Sequence, residues 1–210
     1  DQFYCSGNCG DQTCGNNLCP AGSECNNGIA QQCPPGKFKS NTGSGSCQNC
    51  TAGYACPYVG STTGEFVQCS EGFYCEAGSY STRQYLVEEM YFWNNGLQEP
   101  CPTGETTLNK GQLNCISCPE YYQCVTDNGV PSKSECPRGY YCPGGVGNNP
   151  TPCPINTYGW DFNPGKDDST CLDCIDGQLC DQQGMNYTQM RKSLCPAGSD
   201  WQVRPGVVTG

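Results

Sequence analysis

Twenty-two of the 210 residues are cysteine, and they recur in a pattern. Cys33, Cys47, Cys50, Cys56, Cys69 and Cys75 are separated by gaps of 13, 2, 5, 12 and 5 residues. Cys101, Cys115, Cys118, Cys124, Cys136 and Cys142 repeat this with gaps of 13, 2, 5, 11 and 5. A looser third set, Cys153, Cys171, Cys174, Cys180 and Cys195, has one cysteine fewer. The first residues hold a compressed set, Cys5, Cys9, Cys14, Cys19 and Cys25. Cysteine at this density marks a disulfide scaffold, and self-similar spacing marks an array of repeated modules.

The rest of the composition requires such a scaffold. Fewer than one residue in seven is Leu, Ile, Val or Phe. So little aliphatic surface cannot offset the entropy of ordering the backbone. The 28 glycines and 16 prolines disfavour long helices. The expected fold is small and disulfide-rich: tandem cysteine-rich modules of short β-hairpins and loops, with little or no helix, forming an elongated rod. The module boundaries expected from the cysteines are 1–32 (partial and compressed), 33–100 (with a long aromatic-rich linker, 76–100), 101–152, and 153–210. The last lacks its sixth cysteine and carries a C-terminal tail.

Each regular set contains a C-x2-C pair, such as Cys47 and Cys50. Three chemistries use such a pair. A four-thiolate zinc site wants two short knuckles, but here the second half is C-x5-C and two thiols per set would be stranded. A thiol–disulfide switch needs a strand–helix setting, which the sequence around Cys47, Cys115 and Cys171 does not offer. The third reading is two neighbouring staples, one closing the loop behind and one opening the loop ahead, and it is the one expected here. No metal or other cofactor is expected.

The local wording repeats as well. "CPAG" at Cys19 and Cys195, "CPPG" at Cys33, "CPTG" at Cys101 and "CPRG" at Cys136 fit a type I turn, with Pro fixing φ and Gly at the fourth position. Aromatic residues precede later cysteines in "GYAC", "GFYC", "YYQC" and "GYYC", where a flat ring beside a disulfide would supply scarce core. The spacing and the CPxG, C-x2-C and G[YF]xC wording resemble the cysteine-rich repeats of ephrin-receptor-like and tumour-necrosis-factor-receptor-like ectodomains, similar to those in surface proteins of ciliates and other protists. The resemblance implies pairing of first with second, third with fifth and fourth with sixth cysteine. Carried over, it gives Cys33–Cys47, Cys50–Cys69 and Cys56–Cys75, then Cys101–Cys115, Cys118–Cys136 and Cys124–Cys142. Spacing alone leaves 15 pairings open for six cysteines.

At the ends, Cys9–Cys19 and Cys14–Cys25 would leave Cys5 over, and Cys153–Cys171 and Cys174–Cys195 would leave Cys180 over. "DQFYC" at Cys5 reads like "EGFYC" at Cys75, the end of a module. An inter-copy Cys5–Cys180 link is therefore expected, with copies of the chain joined head to tail or as periods of a longer chain. The bland alternatives are a bond within one chain or an arbitrary cut.

Two N-x-[ST] sequons occur, Asn49-Cys50-Thr51 and Asn186-Tyr187-Thr188. Asn186, in a long inter-cysteine loop, is expected to be the better acceptor of the two, and clusters such as Ser61–Thr63 could carry O-linked glycans. The stretch "YLVEEMYFW" (85–93) fits a helical turn and a short strand equally. Its Tyr91, Phe92 and Trp93 are expected to cover a module junction or touch a neighbouring copy. Trp201, Val207 and Val208 in the tail could anchor a strand on the next copy. Asp161, Asp167, Asp168, Asp173, Asp176 and Asp181 show no EF-hand register and read as a solvated acidic face.

Function classes narrow accordingly. A net charge of −10 argues against nucleic acid and anionic lipid as partners. With no histidine, the commonest general base is missing and no enzyme is expected. There is no apolar run of membrane-spanning length. Disulfide density places such a chain outside the cytosol. The absence of an initiating Met and of a signal peptide fits a mature or excised piece of an exported protein. The leading expectation is a glycosylated structural block of an extracellular filament, appendage or surface coat. The alternative is a ligand-binding or adhesion ectodomain of a cell-surface receptor.

Overall fold

The computed structural model describes residues 3–4, 17–26, 29–145, 147, 149–161 and 165–196. Among these, the regular structure is a succession of two-stranded antiparallel hairpins. β1 (Phe3–Tyr4) pairs with β2 (Asn17–Leu18), β3 (Ser23–Asn26) with β4 (Ile29–Gln32), and β5 (Lys37–Phe38) with β6 (Gln48–Asn49). β7 (Tyr54–Ala55) pairs with β8 (Val67–Gln68), β9 (Phe73–Tyr74) with β10 (Tyr85–Leu86), and β11 (Tyr91–Asn94) with β12 (Leu97–Pro100). β13 (Glu105–Thr106) pairs with β14 (Ile116–Ser117), and β15 (Tyr122–Asp127) with β16 (Val130–Glu135). β17 (Tyr140–Tyr141) pairs with β18 (Thr151–Pro152), and β19 (Thr157–Gly159) with β20 (Cys171–Asp173). Helix is limited to one 3-10 turn, Asp168–Thr170, and one short helix, α1 (Tyr187–Met190).

One turn precedes nearly every hairpin. The residue after the first cysteine accepts a hydrogen bond from the residue three further on, as in Lys37 N to Pro34 O (3.1 Å) and Tyr140 N to Pro137 O (3.1 Å). The residue between them has positive φ, +84° at both Gly36 and Gly139. That is the requirement of a type II turn with glycine third, displaced by one residue from the type I turn expected with glycine fourth. The first cysteine of the following turn closes the hairpin by donating to the glycine carbonyl, as Cys50 N does to Gly36 O (2.9 Å) and Cys153 N to Gly139 O (2.9 Å). Met90, Tyr121 and Asn156 hold the same left-handed place without being glycine.

This turn explains the disulfides. By bending the chain back, it brings residue i+6 beside residue i. Cys19–Cys25, Cys50–Cys56, Cys69–Cys75, Cys118–Cys124, Cys136–Cys142 and Cys174–Cys180 are all linked at a sequence separation of 6. Their Cα–Cα distances run from 5.8 to 6.2 Å, inside the range a disulfide bridges. Cys33–Cys47, Cys101–Cys115 and Cys153–Cys171 close the longer loops. The pairings Cys50–Cys69, Cys56–Cys75, Cys118–Cys136 and Cys124–Cys142, implied by the resemblance, are thus replaced by local ones. So are Cys9–Cys19, Cys14–Cys25 and Cys174–Cys195, and Cys180 is not available to Cys5. Each fails for one reason: the six-residue turn has already consumed its cysteines. Cys5, Cys9 and Cys14 themselves lie outside the described residues.

"YLVEEMYFW" contains one further turn of the same kind, with Val87 in the first-cysteine position and Met90 in the glycine position. Val87 is fully buried and its N–H donates to Gly72 O (3.0 Å), as a cysteine would. The stretch is therefore strand, turn and strand rather than helix.

The chain forms two compact units, one from the described residues of Asp1–Glu99 and Thr107–Asn114, the other from those of Pro100–Thr106 and Cys115–Gly210. Within the first, consecutive turns are stitched by backbone hydrogen bonds: Gly36 N to Cys56 O (2.8 Å), Gly53 N to Cys75 O (2.8 Å), Gly60 N to Cys33 O (2.8 Å) and Gly78 N to Cys50 O (3.0 Å). Within the second, Gly104 N meets Cys124 O (2.9 Å), Asn156 N meets Cys180 O (2.8 Å) and Gly184 N meets Cys153 O (2.9 Å). Besides cysteine, the buried apolar residues among those described are Ala55 and Val87 in the first unit and Tyr158, Met185 and Met190 in the second. The motif aromatics Tyr54, Phe73, Tyr74, Tyr122, Tyr140 and Tyr141 are half-buried covers over the hairpins.

Candidate functional site

Four of the cysteine-led turns, those at Cys33, Cys101, Cys153 and Cys195, lack a cysteine at their seventh residue, and what stands there differs. In "CPPGKFK" it is Lys39, which is buried, at 6 % exposure. Its ammonium donates to Ser23 O (2.9 Å) and Gly43 O (2.7 Å), tying two successive hairpins together where a disulfide would otherwise lie. Sequence reasoning missed this residue, although its distance from Cys33 marked the place. Lys39→Met keeps the length of the side chain and strands both carbonyls. Losing charged hydrogen bonds at buried acceptors costs about 1–3 kcal/mol, and denaturant titration with the disulfides intact should show that loss.

The second notable turn begins at Cys195. Leu194 bridges Gln178, Leu179 N donates to Ser193 O (2.8 Å) and Cys195 N donates to Gly177 O (3.2 Å), the same hydrogen bond that seats the other first cysteines. Cys195 is half-exposed and without a disulfide partner among the described residues. The sequence gives the cause: "CPAGSEC" at Cys19 becomes "CPAGSDW" at Cys195, so Trp201 occupies the place of the second cysteine. Trp201, Val207 and Val208 lie outside the described residues.

The third site is the end of the second unit. Tyr158, Cys180, Met185 and Met190 form a buried cluster against which Cys174 and Tyr187 pack. Trp160 and Tyr187 lie with ring centroids 4.6 Å apart, and the Arg191 guanidinium sits 5.7 Å from the Tyr187 ring. Burial, reinforced by Tyr187, pushes the Tyr158 hydroxyl above its ordinary pKa, so it stays protonated at neutral pH. α1 is too short to persist alone and is held by its cap. Asn186 Oδ1 accepts from Gln189 N (2.9 Å), and Gln189 Oε1 accepts from Asn186 N (3.0 Å), a reciprocal capping box. Thr188 donates both its N–H (3.0 Å) and its hydroxyl to Asp161 Oδ2.

Asp161 therefore does not belong to a solvated acidic face. It is 8 % exposed, and its Oδ1 has no hydrogen-bond partner among the described residues. Asp167 is also engaged, accepting from Ser169 N (3.1 Å) at the start of the 3-10 turn. Asp168, Asp173, Asp176 and Asp181 are exposed or half-exposed. The described residues hold no cluster of three acidic or thiol groups arranged for a metal ion.

The second sequon differs from the first. Asn49 is exposed in β6, and neither its amide nor the hydroxyl of exposed Thr51 has a hydrogen-bond partner among the described residues. Tyr91, Phe92 and Trp93 are all half-buried in β11. Trp93 N donates to Gln112 O (2.9 Å), while its indole N–H is buried without a partner. No described helix is long and apolar enough to cross a membrane. The chain matches no protein-family model and no curated protein sequence. Nine disulfides among the described residues are the mark of a protein that folds outside the reducing cytosol.

Proposed function

We propose that this chain is a structural building block of an extracellular filament, appendage or coat, bearing glycans and joined to further copies of itself end to end. The observation that carries the reading is the seated but unpaired Cys195. Nine disulfides account for every cysteine except Cys195 and the three at the start, Cys5, Cys9 and Cys14. Two of those three can pair with each other; the third is left over, as Cys195 is. Cys5 is the natural remainder, because it follows Phe3–Tyr4 of β1 as Cys75 follows Phe73–Tyr74 of β9. Cys195 is the first half of a turn and Cys5 reads as a second half, so a Cys195–Cys5 link between copies completes both. The backbone supports the same reading, since within each unit successive turns are hydrogen-bonded to one another, as Gly36 N is to Cys56 O and Gly184 N to Cys153 O, and such an arrangement extends by addition.

Joining two thiols releases two protons and two electrons, which a disulfide oxidant takes up as it is reduced to thiols. Incubating the protein with glutathione disulfide should give a ladder of multimers on a non-reducing gel, lost on reduction, with the Cys195 peptide joined to the Cys5 peptide. Cys195→Ser should abolish the ladder. A discrete monomer in which Cys195 is bonded within its own chain would overturn the proposal.

A further inference from the structure

The two sequons differ in what they offer a glycan transferase. In N-glycosylation the side-chain amide nitrogen of Asn forms a bond to C1 of a sugar. The sugar's bond to the pyrophosphate of a lipid-linked oligosaccharide breaks, the lipid pyrophosphate leaves, and the amide gives up a proton. The transferase reads the hydroxyl two residues after the Asn, so both that hydroxyl and the amide must be free and the backbone extended.

We infer that Asn49 is the residue that carries the glycan, and that Asn186 is a helix cap open to modification only until Asp161 captures Thr188. This inference rests on the glycosylated part of the proposed function and reverses the order expected from loop length. At Asn186 the amide is fixed through its oxygen and the recognised hydroxyl is engaged. The side-chain oxygen caps Gln189 N, and the backbone N–H is held by Gln189 Oε1. The Thr188 hydroxyl is committed to Asp161 Oδ2. A parallel bridge from Asn186 to Gly159 and the burial of Met190 fix the backbone in place. The carboxylate that does this is nine-tenths buried, and Thr188 is its one hydrogen-bonding residue among those described. A buried acid with one oxygen unpartnered and no ion pair among the described residues is costly to keep. Its retention here is accounted for by the hold it exerts on Thr188.

Asn49, in β6, is paired through its backbone with Lys37, but its side chain carries none of the restraints found at Asn186. Asn49 and Thr51 are exposed, and Thr51 is tied only through its backbone, with N–H donating to Gly64 O (3.0 Å). Gly78 of the neighbouring hairpin keeps the flank open, since a Cβ there would come within 3.3 Å of Asn49 Cγ.

The test is site occupancy in protein secreted from a glycosylating eukaryotic host. Release by peptide-N-glycosidase in heavy-oxygen water marks each modified Asn as a labelled Asp. Wild type should show Asn49 modified and Asn186 largely bare. Asp161→Ala should raise Asn186 occupancy several-fold, while Asp161→Asn, which keeps an oxygen acceptor for Thr188, should leave it low. Gln189→Ala, which opens the cap without touching Asp161, serves if Asp161→Ala is not secreted, and it should raise occupancy too. Retention of Cys153–Cys171 and Cys174–Cys180 checks the fold of each variant. Full modification of Asn186 in wild type, or no rise in either opening variant, overturns the inference. Wild type bare at both sites overturns it together with the glycosylated part of the proposed function. The end-to-end assembly is read independently from the Cys195 cross-link.

Discussion

Complete reduction, with no denaturant present, is expected to unfold this chain. Among the described residues, the buried apolar side chains other than cysteine are five, Ala55, Val87, Tyr158, Met185 and Met190, spread over two units. At about 1.5–3 kcal/mol for a fully buried side chain, they fall far short of the roughly 1–2 kcal/mol that ordering each residue's backbone costs. The links act on the other side of the balance by restricting the unfolded chain. A separation of 6 residues, as in Cys69–Cys75, is worth about 2 kcal/mol. A separation of 14, as in Cys33–Cys47, is worth about 3 kcal/mol. A few such links together match the roughly 5–15 kcal/mol net stability of an ordinary domain. Amide proton dispersion and hydrogen-exchange protection should therefore collapse as thiols appear. Dispersed amides after full reduction would show that packing, not sulfur, holds the hairpins. Single losses should be graded, with Cys33→Ala/Cys47→Ala costing more than Cys69→Ala/Cys75→Ala.

The scaffold class was legible because spacing survives translation into structure: a turn every 14 to 21 residues needs a cysteine or its substitute at a fixed place. The pairing was not. A regular series of first, second and third cysteines looks the same whether each bonds to its nearest neighbour or to the one beyond. Only the left-handed third residue of the turn, as at Gly36, decides that residue i+6 returns to residue i. Substitutes were hidden for the same reason. Val87 and Lys39 occupy cysteine positions by burial and by backbone hydrogen bonds, which a count of cysteines passes over. Asp161 was misread because a carboxylate in an acidic stretch looks hydrated until its 27-residue reach to Thr188 is seen. Cys195 could have been found from sequence, by laying "CPAGSDW" under "CPAGSEC".

Gly139→Ala should be among the most damaging single substitutions outside the cysteines. Gly139 has φ +84°, and a Cβ there would lie 2.1 Å from Gly184 O, a backbone atom with no rotamer to move aside. Gly159 presses in from another side, since its own added Cβ would lie 2.6 Å from Gly139 Cα. Three backbone segments, two of them in turns and loops of successive hairpins, therefore meet where no side chain fits. Gly129 supplies the control. It has nearly the same conformation, φ +78°, in the β15–β16 turn, with nothing within 4 Å of an added Cβ. Alanine at Gly129 carries only the left-handed penalty, about 1–2 kcal/mol. At Gly139 the penalty is joined by displacement of the neighbouring strands, for a total of about 3 kcal/mol or more. Denaturant titration of the two variants, with disulfide mapping to confirm the nine links, measures the difference directly. Because the backbone angle is matched, whatever separates them is the cost of parting hairpins from their neighbours. Equal losses would mean that the hairpins stand independently and that the glycine-to-carbonyl stitching between them contributes little.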